Sequence, residues 1–358
     1  MTSRNARATS SPLEVLLVAL RLGLTSFGGP IAHLGYFRRE YVERRGWVDE
    51  EIYADLVALC QSVPGPTSSE VGIAIGLLRA GPLGAFLAWL GFTLPSAVLM
   101  VAFAYVERLP AELGWLFPLL KFVAFGVVAY AVWGMAHALA WDVRRGAMAL
   151  VAAAIVLLFP APAVQIAVIV AAALVGLLLL PAPVVAARPP VAVPFGRRTA
   201  GAALAIYLGL LLVLPVVRTQ SDSLDLAVFD SFYRASALVF GGGHVVLPLL
   251  QAEVVPRGWV SLDQFVAGYG AAQLVPGPLN TFASYLGIVI DGPRGAIVAT
   301  IAVFLPAFLL VAAALPSWGV LRTRPWAQRA LRGVNAAVVG LLLSALVSIG
   351  RAIASGLI

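Results

Sequence analysis

The feature that most constrains this chain is a series of apolar segments that approach or reach the length needed to cross a lipid bilayer. A spanning helix needs about 20 apolar residues. The segments are longer than typical strands and rich in Leu, Ala and Val, so we predict that they are helices. They lie at 83–106, 114–141, 147–159, 164–181, 199–217, 295–315 and 333–349.

The composition supports the same class of protein. The 358 residues are 61% hydrophobic and only 11% charged, whereas soluble domains carry about 25% charged residues. We therefore predict an all-α, polytopic membrane protein. Cys60 is the only cysteine, which excludes an internal disulfide and a metal site built from several thiolates. No cleavage site follows the first apolar segment, so we expect that segment to stay in the protein.

Other apolar segments are interrupted by glycine and proline. Proline removes a backbone donor and glycine permits unusual dihedrals, so each interruption predicts a broken or re-entrant helix. The interruptions are Phe-Gly-Gly-Pro in 12–34, Pro-Gly-Pro in 52–79, Phe-Gly-Gly-Gly in 231–250 and Pro-Gly-Pro in 264–290.

These interruptions belong to an internal repeat that covers most of the chain. Residues 1–180 form the first repeat, 181–198 a proline-rich linker and 199–358 the second repeat. The aligned pairs are Arg21 with Arg234, Phe27–Gly29 with Phe240–Gly242, Glu40 with Glu253, Arg45–Val48 with Arg257–Val260, Gln61 with Gln273, Val63–Pro66 with Val275–Pro278, Gly81 with Gly292, and Lys121 with Arg332.

The charges of the loops predict how the repeats are oriented. Arginine-rich loops remain in the cytoplasm, which places Asp142–Arg145 and the linker inside. The loop 107–112 and the acidic stretch 218–230 then lie outside. This count starts the first half from the cytoplasm and the second from outside, which is an inverted-topology repeat, an architecture used by many secondary transporters.

The repeated order of Phe-Gly-Gly, a glutamate, Gly-Trp-Val and Gln-x-x-Pro-Gly-Pro resembles the chromate ion transporter family in its long, two-half form. Gly243 stands where the first half has a proline. The resemblance implies a secondary transporter that exports chromate across the bacterial inner membrane and confers chromate resistance. Sulfate or another oxyanion as substrate, and a passive anion channel, are the alternatives.

The Pro-Gly-Pro and Phe-Gly-Gly breaks predict the substrate site. A helix that begins after Pro66 or Pro278 has free amides and a positive dipole end, which suit an oxyanion, and glycine lets the backbone approach a ligand. The alternatives are a kink made for packing and close contact of small residues. The predicted substrate residues at the breaks are Ser26, Gly28, Gly29, Gln61, Gly65, Thr67, Ser68, Gly241, Gly242, Gln273, Gly277, Asn280 and Thr281.

Charged and titratable residues near the breaks complete the site. Arg21 and Arg234 offer a fork of donors that matches an oxyanion; snorkelling or pairing with an acid is the alternative. Glu70 is a candidate for proton coupling, or a capping-box partner of Thr67. His33 and His244 are coupling candidates, or structural donors.

The expected partners are chromate or sulfate and membrane lipid, the latter contacted by the charged stretch 38–51 and Trp47. Nucleic acid is not expected, because the arginines follow the pattern of cytoplasmic loops. The sequence leaves a homodimer open. It contains no Walker motif and no cluster of acids or histidines at membrane depth, so we expect neither an enzyme, a metal nor a cofactor.

Overall fold

The computed structural model of the protein describes residues 11–106, 116–182, 195–240, 243–321 and 323–356. Within these ranges all regular secondary structure is helical, which confirms the all-α prediction. Residues 183–194 of the predicted linker, the loop 107–112, Gly241 and Gly242 lie outside the described residues.

The helices of the first half are α1 (Pro12–Thr25), α2 (Gly29–Phe37, followed by a π-helical turn over Arg38–Arg44), α3 (Glu50–Ser62), α4 (Thr67–Val106), α5 (Leu116–Leu139), α6 (Val143–Leu158) and α7 (Pro162–Leu179). Those that follow are α8 (Arg197–Arg218), α9 (Leu224–Ala237), α10 (Val246–Val254), α11 (Leu262–Leu274), α12 (Phe282–Ala314), α13 (Trp318–Leu321) and α14 (Pro325–Gly356).

In the described ranges, 6 helical stretches are long and apolar enough to cross a membrane. The chain is therefore a multi-pass membrane protein. The stretches are Thr67–Val106, Pro118–Leu139, Pro162–Leu179, Arg197–Arg218, Leu279–Leu321 and Pro325–Arg351.

Each predicted interruption separates two helices, and the pattern of breaks is the same in both halves. Helices α1 and α2, α3 and α4, α9 and α10, and α11 and α12 are each divided at a break. A further kink within α4 falls at Gly81 (φ 64°, ψ −157°), and its equivalent within α12 falls at Gly292 (φ 59°, ψ −151°). The inversion of one half relative to the other stays a prediction.

The centre of the molecule is formed by α4 and α12, which pack against each other. Helix α1 packs on α4, and α9 packs on α12. Gly23 allows α1 to pack closely on α4, because a Cβ at this position would lie 2.7 Å from the Phe92 carbonyl oxygen. Helices α6 and α7 follow each other as a hairpin and cover α14, where Gly333 and Gly340 approach their backbones.

The kink at Gly81 generates a stability prediction. Its dihedrals lie in a region that is essentially restricted to glycine, and nothing lies within 4 Å of a Cβ built there. We expect Gly81→Ala to lower the free energy of unfolding by about 1–3 kcal/mol from backbone strain alone. Thermal unfolding in detergent measures this.

Gly209→Ala is the matched control, because Gly209 lies within α8 with ordinary helical dihedrals and open space around it. That variant should be as stable as the parent or up to about 1 kcal/mol more stable. Equal melting temperatures for Gly81→Ala and Gly209→Ala would show that the kink is not strained.

Candidate functional site

The breaks of the two halves are joined to each other by backbone hydrogen bonds. The N–H of Gly65, in the first Pro-Gly-Pro, donates to the Val239 carbonyl at 2.7 Å. The N–H of Gly277, in the second Pro-Gly-Pro, donates to the Ser26 carbonyl at 2.9 Å. Ser26 and Val239 each lie directly before a Phe-Gly-Gly break. A Cβ built on Gly29 would lie close to His244, which links the two pairs, so the four breaks meet at one place, which is here called the crossing. Ser26, Gly65, Val239 and Gly277 are buried there, whereas Phe27 and Gly28 are exposed.

Two helices begin at the crossing. Helix α4 begins directly after Pro66, and a 3₁₀ turn over Leu279–Thr281 leads into α12. The first N–H groups of such helices have no intrahelical partner. The side chains next to them are polar and buried, and these are Thr67, Ser68, Ser69, Asn280 and Thr281.

Two histidines line the crossing, one from each half. His33 Nδ1 is 3.3 Å from the Ser68 hydroxyl, and His244 Nδ1 is 2.7 Å from the Tyr269 hydroxyl. A Cβ built on Gly29 would lie 3.7 Å from His244 Nε2. The two imidazoles are close enough to interact electrostatically. Each imidazole has a hydrogen-bond partner. This fits the structural role that the sequence left open as the alternative to proton coupling.

The crossing contains buried polar atoms that have no hydrogen-bond partner. Native proteins satisfy the large majority of such atoms with protein groups or ordered water, so a group of them at one place suits a site that water or a polar ligand can occupy. In the described part of the chain they include Ser26 Oγ, Ser69 Oγ, Gln273 Nε2, Asn280 Nδ2 and both carboxyl oxygens of Glu70.

Glu70 differs from the other polar residues because it is potentially charged. It lies in the first turn of α4, is completely buried, and its Oε1 occupies the space that a Cβ on Gly65 would need. Its carboxyl does not act as a capping-box partner, since neither oxygen has a hydrogen-bond partner among the described residues. An ionised carboxylate in such a place is costly.

The two repeat-related arginines have different surroundings. Arg234 donates hydrogen bonds to Asp230 at 2.7 and 2.8 Å and lies 3.2 Å from Glu253. It is therefore paired with acids, which was the alternative to a role in substrate binding. Arg21 is exposed, and its side chain has no ion pair or hydrogen bond with any described residue. It lies five residues before Ser26, about 8 Å along a helix.

Arg21 also lies near Glu40, outside the spanning segments. Burial raises the pKa of Glu40, but a hydrogen bond from Arg45 and the positive charges of Arg44, Arg45 and Arg21 outweigh burial and hold that pKa below its usual value. Glu40 and Arg45 are the equivalents of Glu253 and Arg257, which are also paired, at 2.8 Å. Each half therefore contains a glutamate–arginine cluster beside its first broken helix.

Comparison with known proteins identifies the family. A family model described as chromate transporter matches residues 13–177 and 226–358, which covers both halves. The chain belongs to the chromate transporter family. The resemblance drawn from the repeated motifs is thus confirmed. A family of transporters is not a class of enzymes.

Individual relatives agree with this membership. A probable chromate transport protein of Synechococcus elongatus is 32% identical over 346 residues, which are 93% of this chain and 83% of the relative. A chromate transport protein of Pseudomonas aeruginosa is 29% identical over 90% of this chain and 77% of its own length. One of Cupriavidus metallidurans is 29% identical over 94% and 82%. No solved structure matches the chain.

In this chromate transporter family member, some predicted site residues lie at the crossing and others do not. Gln61 is exposed, whereas its equivalent Gln273 is half-buried. Sequence reasoning missed Tyr269, which binds His244, and Ser96, whose Oγ faces Gly277. No motif marks either of them. Ser69 was also missed, although it directly follows the predicted Thr67 and Ser68.

The cluster around Arg234 generates the second prediction. Asp230 is fully buried between Arg234 and Arg218, which lies 2.9 Å away. Removing one partner from a buried ion pair costs about 3–5 kcal/mol, and we expect Asp230→Asn to lower the free energy of unfolding by that amount. Asp225→Asn, which removes an exposed ion pair with Arg294, should cost about 1 kcal/mol or less.

Unfolding of the two purified variants in detergent, followed by circular dichroism, measures both values. Equal losses of stability would mean that the buried cluster contributes no more than an ion pair at the surface.

Proposed function

We propose that this protein is a secondary transporter that exports chromate from the bacterial cytoplasm across the inner membrane. Its family membership and the named activity of its relatives support chromate as the substrate. The observation that carries the proposal is the crossing, where the four breaks of the two halves meet through reciprocal backbone hydrogen bonds. Irregular backbone at membrane depth is tolerated only inside protein or beside a watery cavity.

The proposed binding mode uses neutral donors around a tetrahedral dianion. The starts of α4 and α12 supply free N–H groups and the positive ends of two helix dipoles. Hydroxyl and amide groups of Ser26, Ser68, Ser69 and Asn280 supply further donors, whereas the Thr281 hydroxyl donates to the Pro278 carbonyl. Of these, Ser26 Oγ, Ser69 Oγ and Asn280 Nδ2 have no protein partner in the described residues, so a bound oxyanion would satisfy them. Gly65 and Gly277 allow the backbone to approach it closely.

Arg21 is the cation that we assign to chromate. Its guanidinium is not held by any described acid, whereas Arg234 is bound by Asp230 and Glu253. Because Arg21 is exposed and lies about 8 Å before the break, it suits capture of the dianion on its way to the crossing. Arg234 would then support the second half structurally.

The proposed mechanism is alternating access by an inverted repeat. The polar side chains of the crossing are buried in this conformation, so chromate can reach them only after a movement that opens one side. Repeats that rock about a fixed central site provide that movement. The membrane potential would drive export, because moving two negative charges outward across 100 mV releases about 4.6 kcal/mol.

Glu70 gives the proposal a route for proton coupling. An ionised carboxylate next to the bound dianion would repel it, whereas a neutral carboxyl would not and would donate a hydrogen bond. We propose that Glu70 binds a proton together with chromate and releases it with chromate. The co-transported proton offsets one of the two negative charges, which leaves about 2.3 kcal/mol per 100 mV to drive export. His33 and His244 line the same crossing and could pass this proton, and both are already hydrogen-bonded.

Uptake of radiolabelled chromate by proteoliposomes tests the binding mode. We expect saturable uptake by the parent protein. Ser69→Ala should raise the half-saturating chromate concentration about tenfold or more, since a hydrogen bond to a charged group contributes about 1.5–3 kcal/mol. Thermal stability should not fall, because the Ser69 hydroxyl has no partner to lose among the described residues.

Ser348→Ala is the matched control, since the Ser348 hydroxyl donates a hydrogen bond within α14, to the Ser344 carbonyl. It should transport like the parent. Uptake equal to that of empty liposomes would refute chromate transport, and saturable uptake of radiolabelled sulfate without chromate uptake would identify sulfate as the substrate. Chromate accumulation that never exceeds the electrochemical equilibrium set by the imposed potential would identify a passive anion channel rather than coupled transport.

The proton route is tested by Glu70→Gln, which keeps the shape of the side chain but removes its titration. We expect this variant to retain chromate flux and to lose the accompanying proton flux, measured with a pH-sensitive dye inside the proteoliposomes. Glu43→Gln, at an exposed ion pair with Arg38, should keep both fluxes. Unchanged proton flux in Glu70→Gln would exclude Glu70 as the carrier.

A further inference from the structure

An ion pair links the two halves at one side of the molecule. Lys121 Nζ, near the start of α5, lies 2.6 Å from Asp263 Oδ1 in the first turn of α11. Helix α11 packs against α5 here so closely that a Cβ on Gly270 would overlap the Leu120 carbonyl. By the loop charges this contact lies on the outer side of the membrane.

The repeat places a complementary pair of charges at the equivalent positions. Arg45–Val48 aligns with Arg257–Val260, and the same offset pairs Glu51 with Asp263; Lys121 pairs with Arg332. An acid and a base are thus present at both locations, although the residue types differ. By the same loop charges, Glu51 and Arg332 lie on the cytoplasmic side.

The second pair of charges is not joined in this conformation. Glu51 is exposed and makes no ion pair with a described residue. Arg332 instead donates a hydrogen bond to the Pro181 carbonyl at 2.6 Å. Ala58, the equivalent of the tightly packed Gly270, is exposed. Helix α3 packs on α4 and on the turn after α2, whereas α11 packs on α5. The two equivalent helices therefore hold different positions.

We propose that these are two alternating gates, in which Lys121–Asp263 closes the outer side and Glu51–Arg332 closes the cytoplasmic side in the opposite conformation. Helix α14 is the repeat equivalent of α5, and α3 is the equivalent of α11. When the two inverted repeats exchange their conformations, α11 moves away from α5 and α3 packs against α14. One ion pair then forms as the other breaks. This inference rests on the proposed function, because it requires inverted repeats that alternate.

The location of the pairs suits gates. Asp263 has an exposed side chain and Lys121 is only partly buried, and ion pairs in contact with water contribute little. A gate of this kind shifts the balance between two conformations by about two- to fivefold and still opens in every cycle.

Accessibility of introduced cysteines to a membrane-impermeant thiol reagent tests the proposal in membrane vesicles of known orientation. The sole cysteine is first removed as Cys60→Ser. Gln273→Cys then reports on the outer side, and Gln61→Cys reports on the cytoplasmic side. We expect Lys121→Ala to raise labelling of Gln273→Cys about two- to fivefold, and Arg332→Ala to lower it by a similar factor.

Two further variants sharpen the result. The double variant Lys121→Ala/Arg332→Ala should return labelling close to the parent, since it removes one gate from each conformation. Arg294→Ala removes an exposed ion pair within one half and should not change labelling. Shifts in the same direction for Lys121→Ala and Arg332→Ala, or no shift for either, would overturn the proposal.

The measurement needs no substrate, so its outcome is separate from that of the transport assay. Opposite shifts in labelling without chromate uptake would support the two gates and refute chromate as the substrate. Chromate uptake without opposite shifts in labelling would support chromate transport and refute the two gates.

Discussion

The structure depends on two hydrogen bonds that tie each half to the other. A broken helix in a lipid environment leaves backbone groups that lipid cannot satisfy. Here the Gly65 N–H is satisfied by Val239, and the Gly277 N–H by Ser26. Each bond therefore joins a Pro-Gly-Pro break to the Phe-Gly-Gly region of the other half. Neither half can complete its own breaks, so the crossing exists only when the two are assembled.

The repeat supplies the scaffold, and its deviations supply the chemistry. The kinks at Gly81 and Gly292 have nearly the same dihedrals, so the backbone path is shared. The side chains have diverged. Glu70 faces the crossing from the first half, where the second half has Phe282. A single carboxyl there would repel a dianion less strongly than a symmetric pair of carboxylates, and in the proposed function it carries the coupled proton.

Much of the fold could be predicted because each helix break has a local cause. The dihedral limits of proline and glycine act on the residues that carry them, so the breaks were placed correctly. The surroundings of individual side chains could not be predicted in this way. Arg21 and Arg234 align in sequence, but only Arg234 meets Asp230, one turn away on α9. Tyr269 was missed because α11 gives no sign of which side faces His244.

The sequence by itself determined an all-α membrane protein, the places where its helices break, and the family to which it belongs. The first two follow from hydropathy and backbone sterics, which are properties of neighbouring residues, and the family follows from the repeated motifs. Only the tertiary structure decided that the four breaks meet and that Glu70 and Asn280 have atoms there without a partner in the described part of the chain. It also decided that α11 packs on α5, whereas α3 packs on α4. Those facts depend on contacts between residues far apart in the chain, which no local rule contains.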